Sequence, residues 1–303
     1  MRVLVTGANG YVGRAVVSAL DAAGHEPMAM VRSVGADIAG AADVRSADLL
    51  DVDSLRRALD GVDAVCHLAG LTRARDSFAE AARYVRANVG GTIALLDAMN
   101  ASGVGRIVFA STGSIYGAPE RQPMNEQLPD APPHPYASTK LAAELVIEAQ
   151  ASGGELAGVI ARVSNVAGGV DPDPTRLLPR ALTAAARHTP LSVNGDGSAV
   201  RDYLHIHDVA DAFVACIEHI PAAGRTARYN IGSGRGTSVM DVVTAVERVV
   251  GNQIPLEYRP PAREPAVLVM DPSKAAAEIG WEPMRSSIEE IVQDAWSASA
   301  AVL

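Results

Sequence analysis

The chain has 303 residues, 48% of them hydrophobic, and a formal net charge of −9 at pH 7. This length allows one large or two small domains with a substantial core, and the acidic balance removes any electrostatic reason to expect nucleic acid as a partner. No run approaches the roughly 18 apolar residues of a membrane span, and the first residues lack the pattern of a signal peptide, so we expect no membrane partner and a cytoplasmic protein.

Short apolar runs alternate with helical patterns along the first 170 residues. The strand-like runs are "RVLVTG", "PMAMVR", "VRSADL", "DAVCHLAG", "RIVFAST" and "AGVIARV". The helical patterns cover residues 12–23, 52–60, 77–101 and 136–151. Strands that are buried on both faces read as continuous apolar runs, so this alternation predicts an α/β protein with a doubly wound parallel sheet.

The pattern becomes irregular from about residue 170, where "GGVDPDPTRLLPR" brings three prolines. Shorter elements follow, including a helical pattern at 207–219 and two closing helices. We therefore expect a dinucleotide-binding domain at 1–170 and a smaller, partly interleaved α/β substrate-binding region at 171–303. A segment near 205–235 is expected to return to the main sheet.

The two cysteines, Cys66 and Cys216, both lie in apolar patterns. Neither belongs to a CxxC pair or to a cluster with histidine, so we expect buried structural thiols and no metal site.

Three glycines follow the first predicted strand and precede a helix: Gly7, Gly10 and Gly13 in "TGANGYVG". The first allows a tight turn, the second lets backbone amides approach a pyrophosphate, and the third lets the helix pack closely on the strand. The positive N-terminus of the helix adds to the attraction for phosphate. This stretch therefore predicts a dinucleotide site in a Rossmann-like sheet, although the glycine spacing differs from the commoner GxGxxG.

Two further strand ends are candidates for cofactor contacts. Asp48 could accept a hydrogen bond from an adenine amino group, whereas Asp51 is the more natural cap for the next helix. The small residues of "HLAG", 67–70, leave space for a ribose or diphosphate. His67 itself is interpreted as a packed core histidine.

Tyr136 and Lys140 stand four residues apart in "HPYASTKLAAELV", where Pro135 suits the start of a helix. This spacing places the two side chains on one helix face. Thr112 ends the fifth predicted strand, and in a parallel sheet the strand ends gather over the cofactor. A hydroxyl, a phenol and an amine can therefore meet there.

The chain resembles the extended short-chain dehydrogenases/reductases of the NAD-dependent epimerase/dehydratase type, and within them the nucleotide-sugar branch. The motifs that carry this resemblance are "GANGYVG", "ADL", "HLAG", "RANVGGT", "STGSIYG", "YASTK", "RVSNVAG", "GDGSAVRDYLHIHDVADA" and "DPSKAAAEIGWEP". The resemblance implies that Tyr136 is the general acid/base, that Lys140 favours the phenolate and binds the nicotinamide ribose, and that Thr112 holds the reacting oxygen.

The resemblance also implies which residues contact the ligands. The expected cofactor contacts are Gly7, Asn9, Gly10, Tyr11, Val12, Gly13, Arg32, Asp48, Leu49, Leu68, Ala69, Gly70, Asn88, Ser111, Tyr136 and Lys140. Ser111 could equally lie behind the site, Ser111 and Ser114 are nearby alternatives to Thr112, and Asn88 could be a structural amide. The expected substrate contacts are Thr112, Asn165, Arg201 and Arg263, since arginine can bind a diphosphate bidentately. Glu264 and Pro265 depart from the family pattern at the last of these.

Several reactions are compatible with these residues. Gly113 and Ser114 stand where related dehydratases have Asp and Glu, so dehydration is not expected. We favour a UDP-glucose 4-epimerase-like activity on a nucleotide sugar. The alternatives are an NADPH-dependent nucleotide-sugar 4-ketoreductase, a reductase of other ketones, and a catalytically silent regulatory protein that binds the cofactor.

Arg32 follows the second predicted strand, where NAD enzymes usually have Asp or Glu for the ribose hydroxyl. An arginine there accommodates a 2′-phosphate, so the cofactor is expected to be NAD or NADP. The resemblance further implies a homodimer joined through the helices near 77–101 and 136–151.

Overall fold

Strands and helices alternate along the first half of the chain in the computed structural model, which describes residues 1–33, 35, 37–261 and 265–299. The strands are β1 (Arg2–Thr6), β2 (Glu26–Val31), β3 (Asp43–Ser46), β4 (Ala64–His67), β5 (Arg106–Thr112), β6 (Ala157–Val163), β7 (Asn165–Ala167), β8 (Leu191–Asn194), β9 (Val200–His205), β10 (Thr226–Ile231), β11 (Gly236–Ser238), β12 (Leu256–Arg259) and β13 (Val267–Leu268). The helices are α1 (Tyr11–Ala22), α2 (Val52–Ala58), α3 (Asp76–Ala79), α4 (Ala81–Tyr84), α5 (Gly91–Ala101), α6 (Pro135–Ser152), α7 (Leu177–Arg187), α8 (Ile206–Glu218), α9 (Val239–Val250), α10 (Ser273–Ile279) and α11 (Ile288–Ser299).

The main sheet has seven strands in the order β10-β6-β5-β4-β1-β2-β3, and every neighbouring pair is parallel. The order changes direction between β1 and β4, so the carboxyl ends of these strands border a crevice of the kind in which doubly wound sheets bind ligands. The predicted fold class is confirmed.

Separate apolar cores cover the two faces of this sheet. One core joins α1, α8 and α10 to the sheet and includes Val16, Phe213 and Ile279. The other joins α2, α5 and α6 and includes Leu55 and Leu95. Burial on both faces explains why the strands read as unbroken apolar runs.

A third core belongs to the second half of the chain, where α7, α9 and α11 pack together. The short strands β11, β9 and β13 form a small sheet to which β7 is added, and β8 pairs with β12. Strand β10 lies in the main sheet beside β6. The domain limits at residues 170 and 171 stay a prediction.

The helical pattern at 77–101 is not one helix, which corrects the sequence prediction. It consists of α3, α4, a π-helical segment (Val85–Gly90) and α5. Within the π-helical segment, Asn88 is buried and forms hydrogen bonds with Leu71 and Thr139. Single π-helical turns of this kind are frequent at functional sites.

Both cysteine thiols are free and buried, as the sequence predicts. Within the described part of the chain, no helix combines the length and the apolar character that a bilayer crossing requires.

Candidate active site

The glycine loop connects β1 to α1 and has the shape that a dinucleotide requires. Gly7 has a φ of 70°, and its carbonyl accepts the Gly10 amide at 2.9 Å. A Cβ on Gly7 would lie 3.0 Å from the backbone of Ala69, and one on Gly13 would lie 2.2 Å from the Gly7 carbonyl oxygen. Gly10 caps α1 without a side chain, so the first amides of the helix stay accessible to an anion. The loop therefore fits a pyrophosphate.

The turn after β4 is held against this loop by Thr6. Its hydroxyl accepts the amides of Leu68 at 3.2 Å and Ala69 at 3.1 Å, and it contacts His67 Nδ1 at 2.8 Å. The other ring nitrogen of His67 lies 3.1 Å from Thr92 Oγ1. Burial and the nearby lysine lower the pKa of His67 to about 3, so it is a neutral core residue, as interpreted from the sequence.

The residues predicted around the adenosine lie at the expected strand ends. Asp48 is exposed and accepts the Leu50 amide at 2.8 Å, while Asp51 caps α2 with bonds of 3.1 and 3.2 Å. Arg32 is exposed directly after β2, and Leu49 is half-buried. The cap assigned to Asp51 is confirmed, whereas the cofactor contacts stay predictions.

Helix α6 begins as its sequence predicts and presents Tyr136 between aromatic neighbours. Pro135 is its first residue, and His134 caps it by accepting the Ala137 amide at 3.1 Å. The His134 ring stacks on Tyr136 with 5.8 Å between centroids, and Tyr84 meets Tyr136 edge-on at 6.5 Å. These contacts fix the plane of the phenol.

Thr112 and Tyr136 are brought together at the carboxyl end of β5. The Thr112 hydroxyl is buried, accepts the Ser114 amide and donates to Ser114 Oγ, both at 3.2 Å. Burial raises the pKa of Tyr136 to about 12, and a hydrogen bond with Thr112 acts in the lowering direction. In the protein alone, Tyr136 is therefore a neutral phenol at pH 7.

Lys140 lies one turn further along α6 and is only 5% exposed. Its Nζ is 4.1 Å from the centroid of the Phe109 ring. Burial lowers the pKa of Lys140 to about 7, while the charge of Glu144 acts in the raising direction. The amine is therefore poised between its neutral and charged forms near neutral pH.

Asn88 connects helix α6 to the loop after β4. Its carbonyl oxygen accepts the Leu71 amide at 2.7 Å, and its amide group donates to the Leu71 carbonyl and to Thr139, both at 3.0 Å. Thr139 in turn donates to the Tyr136 carbonyl at 2.8 Å. These bonds occupy the Asn88 amide and favour structural support over direct contact with the cofactor.

Ser111 lies behind Thr112, and its hydroxyl donates to the buried carboxylate of Glu144. This contact favours the interpretation that Ser111 lies behind the site. Ser114 is engaged with the Thr112 hydroxyl, so it supports Thr112 rather than replacing it.

The expected substrate contacts are distributed over the second half of the chain. Asn165 is exposed at the start of β7, and Arg201 on β9 donates to the carbonyls of Val200 at 2.8 Å and Pro265 at 3.0 Å. Arg263 lies outside the described residues. A groove of about 710 Å³, whose lining includes Asp196 and Tyr258, opens in this half of the molecule.

A charged cluster that the sequence interpretation missed lies in the loops at 71–76 and 170–176. Arg73 contacts Asp173 at 3.4 Å, and Arg176 contacts Asp171 at 3.1 Å. Arg176 also lies 5.6 Å from the Tyr11 ring, and Tyr11 donates to the Gly168 carbonyl. The loops carry no periodic pattern, so only their tertiary contacts identify the cluster.

A buried ion pair between Glu144 and Arg162 was also missed, although a signal was present. Both side chains are fully buried, and Arg162 Nη2 lies 2.6 Å from Glu144 Oε2. Arg162 is a lone charge in the apolar run "AGVIARV", and a buried charge requires a partner. Glu144 stands four residues after Lys140, on the same helix face.

No group of three or more His, Cys, Asp or Glu side chains suited to a metal ion occurs among the residues that the structure describes.

Comparison with known proteins identifies a family and individual relatives that are similar to this chain. A family model described as the NAD dependent epimerase/dehydratase family matches residues 3–232. The chain is 38% identical to the UDP-glucose 4-epimerase of Streptomyces lividans, across 97% of this chain and 94% of that protein. These matches confirm the resemblance that the motifs indicated.

Solved structures agree with this likeness. UDP-glucose 4-epimerase from Brucella ovis in complex with NAD is 34% identical, with a TM-score of 0.92 and coverage of 99% of this chain and 98% of that one. UDP-glucose-4-epimerase from Stenotrophomonas maltophila, with bound NAD and formylated UDP-arabinopyranose, is 30% identical, with the same TM-score of 0.92 and the same coverage of 99% and 98%.

Replacement of Lys140 by methionine is expected to stabilise the cofactor-free protein. Ionised Lys140 is penalised by burial, and an apolar side chain of similar size removes that penalty, which is on the order of 1.4 kcal/mol for each unit by which the pKa is lowered. The gain in the free energy of unfolding should be largest below pH 7 and should fade as the pH rises toward the unfolded-state pKa of about 10.4. Urea unfolding at several pH values measures it.

Lys274, the only other lysine of the chain, provides the control. Its Nζ is partly exposed and donates to the Arg228 carbonyl at 2.9 Å, so Lys274→Met should not stabilise the protein. A loss of stability in Lys140→Met at pH 7 would contradict the assignment of Lys140 as a penalised buried charge.

Proposed function

The chain belongs to the NAD dependent epimerase/dehydratase family, and on that basis we propose that it is an NAD-dependent UDP-glucose 4-epimerase. The observation that carries this proposal is the near full-length likeness to proteins of that name, combined with the Thr112, Tyr136 and Lys140 set at the carboxyl edge of the sheet. The glycine loop fits NAD because Gly7 and Gly13 have no Cβ. A Cβ on either residue would clash with neighbouring backbone, and the loop could not keep the tight turn that leaves the first amides of α1 accessible to a pyrophosphate.

Each residue of the set has a chemical task. When bound, NAD supplies reversible oxidation and reduction of the sugar at C4. Tyr136 accepts the proton of the C4 hydroxyl as the sugar is oxidised, and it returns that proton to the C4 oxygen when the ketosugar, having turned over, is reduced on its other face. Thr112 holds the reacting oxygen through its hydroxyl, and Lys140 donates to the nicotinamide ribose.

The pKa values of the protein alone show which ionisation states ligand binding must change. Tyr136 has a pKa near 12 and Lys140 one near 7, so neither group is fully ionised at neutral pH. A positive charge beside Tyr136 favours its phenolate, and hydroxyl acceptors beside Lys140 favour its ammonium form. We infer that occupancy of the site brings both groups into their active forms.

Dehydration remains disfavoured on chemical grounds, because Gly113 and Ser114 cannot supply the acid and base that removal of water needs. A side chain at position 113 would only have to displace the flexible end of Met270, whose Sδ would lie 2.5 Å from an added Cβ.

Family resemblance is the basis on which we propose Asn165, Arg201 and Arg263 as contacts of the substrate diphosphate. The cytoplasmic location stays a prediction. The loop at 71–76, whose Arg73 contacts Asp173 at 3.4 Å, is our candidate for the segment that determines which sugar is preferred.

The proposed activity is tested by incubating the purified protein with UDP-glucose and with UDP-galactose and quantifying both by chromatography. We expect either sugar to reach the same mixture without added cofactor. Tyr136→Phe should retain the fold and bound NAD while turnover falls by at least about 100-fold, because the positioned acid/base is lost. Conversion at the wild-type rate in this variant would contradict the role of Tyr136.

Arg32 supports the second candidate, a reductase that uses NADPH. If its guanidinium binds a 2′-phosphate, NADP should bind at least as tightly as NAD, and Arg32→Ala should weaken NADP binding by roughly 10-fold or more. The fluorescence of the reduced nicotinamide in NADPH and NADH gives the dissociation constants of both cofactors and measures this. Arg56→Ala, which removes an exposed arginine on α2, is the matched control. A strong preference for NAD that Arg32→Ala leaves unchanged would exclude the phosphate contact.

We further propose a homodimer formed through the helices around α5 and α6. Large apolar side chains are exposed there: Phe78 (67%), Val85 (51%), Ile93 (42%) and Leu145 (55%). An adjoining groove of about 540 Å³ is lined by Phe78, Val85 and Ala142. Exposed apolar patches of this kind mark interaction sites.

Charge introduced into this surface should separate the subunits. We expect the wild type to sediment as a dimer at micromolar concentration, and Leu145→Glu combined with Ile93→Glu to sediment as a monomer, since each glutamate would be desolvated at the interface. Met284→Glu, at a residue 75% exposed elsewhere, is the control and should remain dimeric. A monomeric wild type would contradict the proposal.

A further inference from the structure

Glu144 is a fully buried carboxylate on the helix that carries Tyr136 and Lys140. It lies one turn after Lys140 and two turns after Tyr136, so the three residues follow one helix face. A buried carboxylate at this place costs free energy unless it is paired, and its pairing determines how the helix sits on the sheet.

The partners of Glu144 come from neighbouring strands. Oε1 accepts from the Ser111 hydroxyl on β5 and from Arg162 Nε on β6 at 3.0 Å, and Oε2 accepts from Arg162 Nη2 at 2.6 Å. Ser111 and Arg162 are directly opposite each other in the pairing of β5 with β6. Arg228 on β10 approaches Oε2 at 3.6 Å. One carboxylate therefore joins α6 to three adjacent strands.

The surroundings of Arg162 complete the network. Its Nη1 lies 2.7 Å from Asp130, and its guanidinium lies 4.7 Å from the centroid of the Tyr116 ring. Arg228 has a second acid, Glu148, at 2.9 Å. Two guanidiniums thus face three carboxylates, and Glu144 is the one that both share.

This network borders both halves of the active site. Ser111 directly precedes Thr112, so the contact between Ser111 and Glu144 sets the distance from the end of β5 to the face of α6. Lys140 has the neutral His67, the Phe109 ring and Glu144 around it. Glu144 is the acidic neighbour that acts on the amine, against the effect of burial.

We propose that Glu144 is a positioning residue of the active site, which keeps Thr112 in register with Tyr136 and favours the ammonium form of Lys140. The functional part of this inference rests on the proposed epimerase activity. Its structural and electrostatic part concerns the protein without ligands.

The replacement Glu144→Gln keeps the shape of the side chain and removes its charge. Arg162 and Arg228 then lose their shared acid, so the positive potential near Lys140 rises and its proton is released more easily. Glu148→Gln is the matched control, because Glu148 lies one turn further along α6 and contacts Arg228 but is only half-buried.

The ionisation of Lys140 can be measured without turnover, because the chain has only two lysines. Protein labelled with carbon-13 at lysine Cε should give two NMR signals, which Lys274→Arg assigns. We expect the titration midpoint of Lys140 to fall by about one pH unit or more in Glu144→Gln and to stay at the wild-type value in Glu148→Gln. An unchanged midpoint in folded Glu144→Gln would overturn the electrostatic role.

Turnover supplies the second measurement. The alkaline limb of the pH profile for UDP-glucose epimerisation should move to lower pH by the same interval in Glu144→Gln, whereas a purely structural defect would lower turnover equally at every pH. If the wild type does not convert UDP-glucose, the proposed function fails, while the NMR titration still decides the role of Glu144 toward Lys140.

Ser111→Ala provides the test if Glu144→Gln does not fold. This variant removes the hydrogen bond between β5 and Glu144 and leaves the ion pair with Arg162 in place. We expect turnover to fall roughly tenfold or more through misplacement of Thr112, and amide hydrogen exchange to quicken in the first turns of α6. Wild-type values of both would overturn the positioning role.

Discussion

The position of helix α6 on the sheet depends on polar groups that are buried beneath it. Asn88 and Thr139 hold its first turns, and the Glu144 and Arg162 ion pair holds its middle. Each of these groups would be costly to bury without its partner. A small displacement of the helix that breaks these bonds therefore costs more free energy than the same displacement would cost with apolar contacts alone. Because Tyr136 and Lys140 belong to this helix, the same bonds determine their positions.

The same side of the sheet combines this polar interior with ordinary apolar packing. Ala143, Ile147 and Ala151 of α6 contribute to the core that also contains α2 and α5. Apolar burial supplies most of the stability, since it scales with area and not with direction. Hydrogen bonds, in contrast, depend on direction and therefore fix the orientation of the helix. This explains why Tyr136 and Lys140, whose placement matters for the site, lie close to buried charges.

Much of the main sheet could be predicted from the sequence, because strands buried on both faces leave continuous apolar runs. Strands β5 and β6 correspond to "RIVFAST" and "AGVIARV" residue for residue. The π-helical break near Asn88 could not be predicted, since it depends on bonds to Leu71 and Thr139 that are remote in the chain. Strands of two or three residues, such as β13 and β7, are too short to show a period.

In the site, too, some features depend on neighbours in the sequence and others on contacts between distant parts of the chain. Local sequence pattern was enough to place the glycines on a loop, Thr112 at a strand end and Tyr136 and Lys140 on a helix, whereas their roles stay predictions. Ionisation was not predictable in this way: the resemblance implies that Lys140 favours the Tyr136 phenolate, but burial raises the pKa of Tyr136 in the protein alone. Desolvation is a property of the whole fold, and only coordinates reveal it.

Tyr11 extends from the glycine loop to the other half of the molecule, where it donates to Gly168 and lies beside Arg176. The loop that fits a pyrophosphate is thereby in mechanical contact with the start of α7. Any free-energy coupling transmitted through this contact is reciprocal. A dinucleotide that orders the loop and thereby raises the affinity for a sugar nucleotide has its own affinity raised by the same factor when the sugar nucleotide binds. Such heterotropic cooperativity suits a catalyst that retains one ligand through many cycles while exchanging the other.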